Sequence, residues 1–442
     1  MGNKLEKSEE KLVEILDKAK KIVDEAEILW IKVKEFPVIF KANRFYTAEK
    51  KDFEGLGIRV INKGKLGFAN TTKIEACGAI LDYAKSATKF GESAQFVFPI
   101  KTTLRPVKTF FNSVKKITTD EIKEHCTYVI KEILKKEPDA KVDVKYKMSE
   151  RTIRITNTKG LDINYKKTLV SIYVVILLII DDSIIWISKV KASPKKTIIN
   201  KEDLRQLLEK AELAKKVVPI DSGEMSVIFM PSVMPIPLSS FTTGVNGKLV
   251  QKGASPLKDK KNRKLIDRSV TIHDDALLKE GVATRPFDRE GIASRRIPIF
   301  KNGILKNFLF DLQTAGLLRQ KSTGSAVRDY DEMPCPGISN IVVSPGEWSV
   351  ADMVKDIKNG IIVHNVIGGG QSNILAGDFS CNVSLGFRIK NGKIIGRVKD
   401  TMIAGNAYDV MSNIEGIGKR IESIGCFYTP AFYFKSLNVI GR

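Results

Sequence analysis

Histidine and cysteine are scarce in this sequence, with three of the first and five of the second among 442 residues. Cys77, Cys126, Cys335, Cys381 and Cys426 lie far apart, form no CxxC pair and add to an odd total. That pattern argues against a disulfide framework or a structural zinc knuckle and leaves buried thiols as the expectation. Two imidazoles project from one helical face only at the spacing of His-Glu-x-x-His or His-Glu-x-x-x-His, and His125, His273 and His364 fit neither. Long apolar runs are missing too. The longest, LVSIYVVILLII at 169–180, is twelve residues and stops at Asp181-Asp182. It is too short to span a bilayer, and its β-branched content predicts a buried strand. The opening MGNKLEKSEEKL has no apolar stretch of a secretory leader, and Glu6 stands where a myristoylation signal wants Ser or Thr. The expectation is a soluble, cytoplasmic chain with no membrane association.

What is present is ordinary globular composition, 43% hydrophobic and 28% charged, on a chain long enough for two to three domains. The net charge of +22 is not ordinary. It comes from Lys scattered among Ile and Glu, a mixture common in heat-adapted proteins. No aromatic-interleaved basic motif or zinc finger accompanies it, so nucleic acid is not the expected partner.

The pattern along the chain divides in two. Leu12, Val13, Leu16, Ala19, Ile22, Val23 and Ala26 recur at helical spacing. Strands are expected at LWIKVKEF, PVIFKANRF and GIRVINKGKLGFAN, a helix through 75–90, and another over 119–137 capped by Thr119 or Asp120. Four more strand segments lie between 141 and 192, followed by a helix over 202–217. From SVIFM (226–230) onward, short apolar strands alternate with Gly-, Pro- and Asn-rich turns. The expected fold is α+β: an N-terminal α+β domain over 1–212, then a β-rich domain, barrel-like or multi-sheet, over 213–442. The boundary falls near 210–222.

Candidate chemistry is sparse. His125 reads as a surface or half-buried helix residue. His273 with Asp274 and Asp275 could hold a divalent cation, but VTIHDDAL also reads as a strand entering a turn. The stretch IIVHNVIGGGQSNILAGDFSCNVSLG (361–386) places His364 before three glycines, yet it lacks the Gly-Lys-Ser/Thr of a Walker loop and the third glycine of a dinucleotide fingerprint. A Cys381–His364 dyad would need strand pairing to bring the two together. In RPFDREGIASRRIPIFKNG (285–303), Asp288 and Glu290 at i and i+2 could act as an acid/base pair, or belong to an ion-pair network with the neighbouring arginines.

The order of these segments resembles the TldD/TldE (PmbA) family, and its TldE (PmbA) branch in particular. The likeness rests on GLGIRVINKGKLGFANT (55–71), DDALLKEGVATRPFDREG (274–291), KNGIL (301–305), KSTGSAVR (321–328) and GDFSCNVSLGFRIKNGKIIGRVKD (377–400). In that family the TldD subunit is a zinc metalloprotease with a His-Glu-x-x-x-His helix and a distant cysteine. Motif order puts that helix at PSVMPIPLSSFTTG (231–244), which holds neither His nor Glu and whose Pro231, Pro235 and Pro237 are expected to interrupt a helix. Cys426 matches the family cysteine but has no imidazole partners. The resemblance therefore implies a subunit without catalytic residues or cofactor of its own, paired with a zinc-bearing TldD-like chain or with itself. Together the two would enclose a cavity in which peptides or unfolded segments are cut. Asp288, Arg289, Glu290, Ser322, Thr323 and Asp378 are the candidate substrate or interface residues. Two other readings stay open: an autonomous hydrolase using Cys381, Cys426 or the Asp288/Glu290 pair, and a basic nucleic-acid-associated protein.

Overall fold

A computed structural model describes residues 2–180, 183–369 and 373–441. Asp181-Asp182, the end of the glycine run and the side chain of Cys77 lie outside the described residues. The fold is α+β and strand-rich.

The N-terminal region is built on one antiparallel sheet. Its strands are β1 (Glu25–Lys41), β2 (Arg44–Ala48), β3 (Lys51–Asn62), β4 (Lys65–Thr71), β5 (Lys141–Asn157), β6 (Asp162–Ile180) and β7 (Ser183–Ser193), in the order β4-β3-β1-β5-β6-β7 with β2 beside β1. LWIKVKEF and the first five residues of PVIFKANRF fuse into the single strand β1, despite Pro37, while Arg44 and Phe45 already belong to β2. Pro37 sits between the β3 ladder, which ends at Glu35, and the β2 ladder, which starts at Val38. That change of neighbour accommodates a missing N–H. The apolar run 169–180 is strand, paired along its length with β5 and β7.

Helices cover this sheet. The first spans Gly2–Ile22 and buries Leu12, Leu16 and Ala19 against β1 and β3. The helix Thr119–Leu134 is capped by Thr118, one residue before the positions expected, because its hydroxyl accepts from the Glu121 amide at 3.2 Å. The helix Lys201–Ala214 begins with a full capping box between Asn200 and Asp203.

A closed five-stranded barrel forms the C-terminal core. Asn359–Ile367 pairs in parallel with Gly223–Phe229, which pairs with Phe432–Ile440, then Met402–Asn406, then Asp378–Lys390, which closes back on Asn359–Ile367. Closure removes the open edges that these strands would otherwise expose. Alternation decides what each strand buries. Val227, Phe229, Ile361, Val363, Phe432 and Phe434 fill the barrel, while Ile228, Ile362 and Tyr433 face outward into the core shared with the N-terminal sheet. A separate, six-stranded sheet, which includes Ile272–Asp275, Arg296–Lys301 and Ile341–Val343, packs on the same barrel core. No described helix is long and apolar enough to cross a membrane.

Candidate functional site

The helix position singled out in the sequence is helical after all. Pro235–Gly244 forms a helix, contrary to the expectation that its prolines would interrupt one. Pro235 and Pro237 fall in the first turn, where amides have no intrahelical acceptor and a fixed φ suits the helix. Leu238 and Phe241 bury against the barrel end. Pro, Ile, Leu, Ser, Phe, Thr and Gly make up the whole helix, so it presents no imidazole, thiolate or carboxylate to a metal. Among the described residues no group of three or more His, Cys, Asp or Glu could hold an ion. Cys426 is half-buried, and burial pushes its thiol up, away from the thiolate a metal needs. Among the described residues, this helix and Cys426 do not supply the three ligands of a catalytic zinc centre.

Directly before that helix, Met230, Pro231 and Ser232 enter a cavity of 1080 Å³ at the junction of sheet, helix and barrel. Lys189 and Lys191 of β7, Arg205 and Lys210 of the helix Lys201–Ala214, and Lys419 and Arg420 give its wall a small excess of positive charge. Four acids are interspersed: Glu202, Asp203, Glu209 and Glu422. Lys191 pairs with Asp203 at 2.7 Å, and Lys189 approaches Glu422 at 3.8 Å. His364 lines the same cavity, with its Nδ1 sealed from solvent and without a partner. Burial, then the Lys210 charge, push its imidazole well below the usual range, so it is neutral. Sequence reasoning missed this cavity because no local motif encodes it.

The remaining candidates fall elsewhere. Cys381 points into the barrel core, 2% exposed, with its thiol pushed up to about 11 by burial. No Cys381–His364 hydrogen bond exists, and the dyad is not formed. His125 accepts from the Ile199 amide at 3.1 Å. His273 lies on the strand Ile272–Asp275 with Arg296 3.4 Å from its Nδ1, and Asp274 accepts from the Ser339 amide and hydroxyl.

Asp288 and Glu290 are fully buried, and their contacts run within the chain. Asp288 accepts the amides of Glu290, Ile292 and Ala326 at 2.9–3.0 Å, which fixes the loop. Glu290 takes the Arg59 guanidinium at 2.7 Å, and the other side of Arg59 grips Glu27 at 2.8 Å. Arg328 donates to Glu27 as well and reaches the Arg289 carbonyl at 3.0 Å. Burial pushes the Glu290 carboxyl up and Arg59 draws it back. Burial opposes the charge on Arg59 too, but Glu27 and Glu290 outweigh it. Two carboxylates and two guanidiniums thus clamp β1 and β3 to the C-terminal region. Arg59 and Glu27 were readable as charges inside apolar strands, GIRVI and EAEILW, though their partners were not. Ser322 and Thr323 form a turn in which Arg295 binds the Thr323 carbonyl at 2.8 Å and the Thr323 hydroxyl accepts the Phe310 amide at 2.7 Å. Asp378 is exposed on a barrel strand and accepts from Asn406 at 2.9 Å.

A strand-rich barrel joined to an antiparallel sheet is a fold shared with solved structures. TldE from Thermococcus kodakarensis superposes with a TM-score of 0.89 at 22% identity, covering 98% of this chain and 100% of that one. A putative modulator of a DNA gyrase from Thermotoga maritima does so at 0.89 and 24%, covering 98% and 99%. In sequence, an uncharacterized protein of Methanocaldococcus jannaschii is 25% identical over 416 residues, 93% of this chain and 95% of its own length. A metalloprotease of Archaeoglobus fulgidus and Metalloprotease PmbA of Escherichia coli O157:H7 are each 32% identical, but over 49% of this chain and 49% and 46% of theirs. Residues 222–441 match the PmbA/TldA metallopeptidase C-terminal domain and residues 26–89 match metallopeptidase domain 1 of the same family. The chain belongs to the PmbA/TldD family.

Proposed function

We propose that this chain is a non-catalytic, TldE/PmbA-like subunit of a metallopeptidase complex, which builds half of the substrate chamber for a zinc-bearing partner. The observation that carries the reading is the helix Pro235–Gly244, which stands where the family's zinc helix is expected and offers no ligand. The cavity at its entrance, with six cationic side chains against four acids, fits a passage for extended peptide segments. The surface for the partner is the outer face of the β6–β7 hairpin. There Tyr173, Ile179, Ile184, Trp186 and Val190 form an exposed apolar stripe, and Val190 continues it into the cavity. A net charge of +22 favours an acidic partner chain.

Co-expression with the TldD-like chain of the same organism tests this. The two should co-purify, and cleavage of an unstructured peptide should need both, depend on the partner's histidines and survive Cys426→Ala here. Chelator-resistant cleavage by this chain alone, lost in Cys381→Ala, would overturn the reading in favour of an autonomous hydrolase.

A further inference from the structure

On the sheet face that receives the loop after Thr284, Arg151 of β5 stands directly opposite Lys167 of β6. Like charges at a cross-strand pair repel. The Lys167 ammonium donates to the Thr284 carbonyl at 3.1 Å, which brings it to the foot of Arg285. Arg285 is 8% exposed, and its Nε and Nη2 are buried without partners, as is Nη1 of Arg289. The same loop carries Ser294, whose buried hydroxyl is also unpartnered. Among the described residues no carboxylate lies within ion-pair distance of Lys167, Arg285 or Arg289. Asp274 and Asp288 feel the Arg285 charge but make no ion pair with it, and both accept hydrogen bonds from the Ser339 and loop amides. Burial and the three arginines push Lys167 down to about 7. The scaffold around these cations is rigid, because Asp288 pins the loop amides and Phe287 packs on Tyr165 at 5.0 Å.

Unpaired buried guanidinium donors are costly, and a cluster of them is stabilised by an anion that meets several at once. Two forked guanidiniums and an ammonium suit a tetrahedral, multiply charged oxyanion better than a single carboxylate. We propose that Lys167, Arg285 and Arg289, with Arg151 beside them, form a binding site for a phosphate-class oxyanion at the seam between the N-terminal sheet and the C-terminal region. The ligand is inorganic phosphate or the phosphate group of a small ester. Its binding tightens the same loop that carries Asp288 and Glu290.

The test is calorimetric titration of the full chain with inorganic phosphate, methyl phosphate and acetate at constant ionic strength. Saturable one-site binding of phosphate is expected, weakened about tenfold or more by Arg285→Gln or Arg289→Gln and unchanged by Lys393→Gln, exposed at the start of the strand Lys393–Arg397. Methyl phosphate binding as well as phosphate identifies an ester as the ligand, and binding of phosphate alone identifies the free ion. Lys167→Met should weaken binding and raise the melting temperature of the phosphate-free protein, since it removes an uncompensated cation. Should Arg285→Gln not fold, Arg289→Gln and Lys167→Met, both at half-buried positions, carry the test. Heats equal to those of chloride, equal binding of acetate, or phosphate binding indifferent to these substitutions would each overturn the proposal.

Discussion

Arg59 shows how much a single residue can hold in this protein. It is 1% exposed, packs against the rings of Phe96 and Phe98, and binds carboxylates from both halves of the chain. Replacing it with Met strands Glu290 as a buried charge and leaves Glu27 with Arg328 alone, and the expected loss is about 3–5 kcal/mol of unfolding free energy. Urea denaturation of Arg59→Met against wild type measures it. A Glu290→Gln variant in the same background should lose less than the sum of the singles, because both touch one network. His364 gives a pH dependence. An unfolded histidine takes up its proton near 6.5, whereas the buried imidazole stays neutral well below that. The unfolded state then binds more protons, so stability falls as pH drops from about 6.5 toward the folded-state value. His364→Leu should remove up to about 1.4 kcal/mol per pH unit of that slope. Denaturation midpoints at pH 7.5 and 5.5 test it. His125 and His273, also lowered by burial, leave a residual slope of the same sign. None of these roles is a motif. A lone Arg in GIRVI announces a buried charge, but only folding supplies Glu290, 231 positions away.

The same limit operates at the scale of elements, less severely. Alternating apolar residues and turn signals made the hairpins readable, and the β-branched run 169–180 is strand as its composition suggested. Prolines misled where local preference and position conflict. Pro37 did not split β1, since it falls at a change of neighbours, and Pro235 and Pro237 start a helix instead of breaking it. The β6–β7 hairpin yields a prediction that belongs to this scale. Ile184 and Trp186 are 62% and 52% exposed. Ile184→Lys with Trp186→Lys should therefore change the stability of the isolated chain by no more than about 0.5–1 kcal/mol. The same pair of changes should abolish co-purification with the metal-bearing partner. Partner retention unchanged by two lysines would move the interface elsewhere.

Across the whole molecule, charge and topology set the behaviour. With +22 on the chain, association with an acidic partner should be steered electrostatically. Its on-rate should fall several-fold between about 50 and 500 mM salt, as the Debye length shrinks, with a smaller effect on the off-rate. Surface-binding kinetics at the two salt concentrations check this, and a salt-independent on-rate would remove the charge argument. The sequence by itself determined the class of elements, the change from mixed to β-rich texture, and the absence of metal ligands from 231–244, because periodicity and residue chemistry are local properties. Barrel closure, the seam of Glu27, Arg59, Glu290 and Arg328, and the cavity beneath His364 were decided only by tertiary structure. Each depends on side chains brought together from distant strands, and no spacing within one segment records such a meeting.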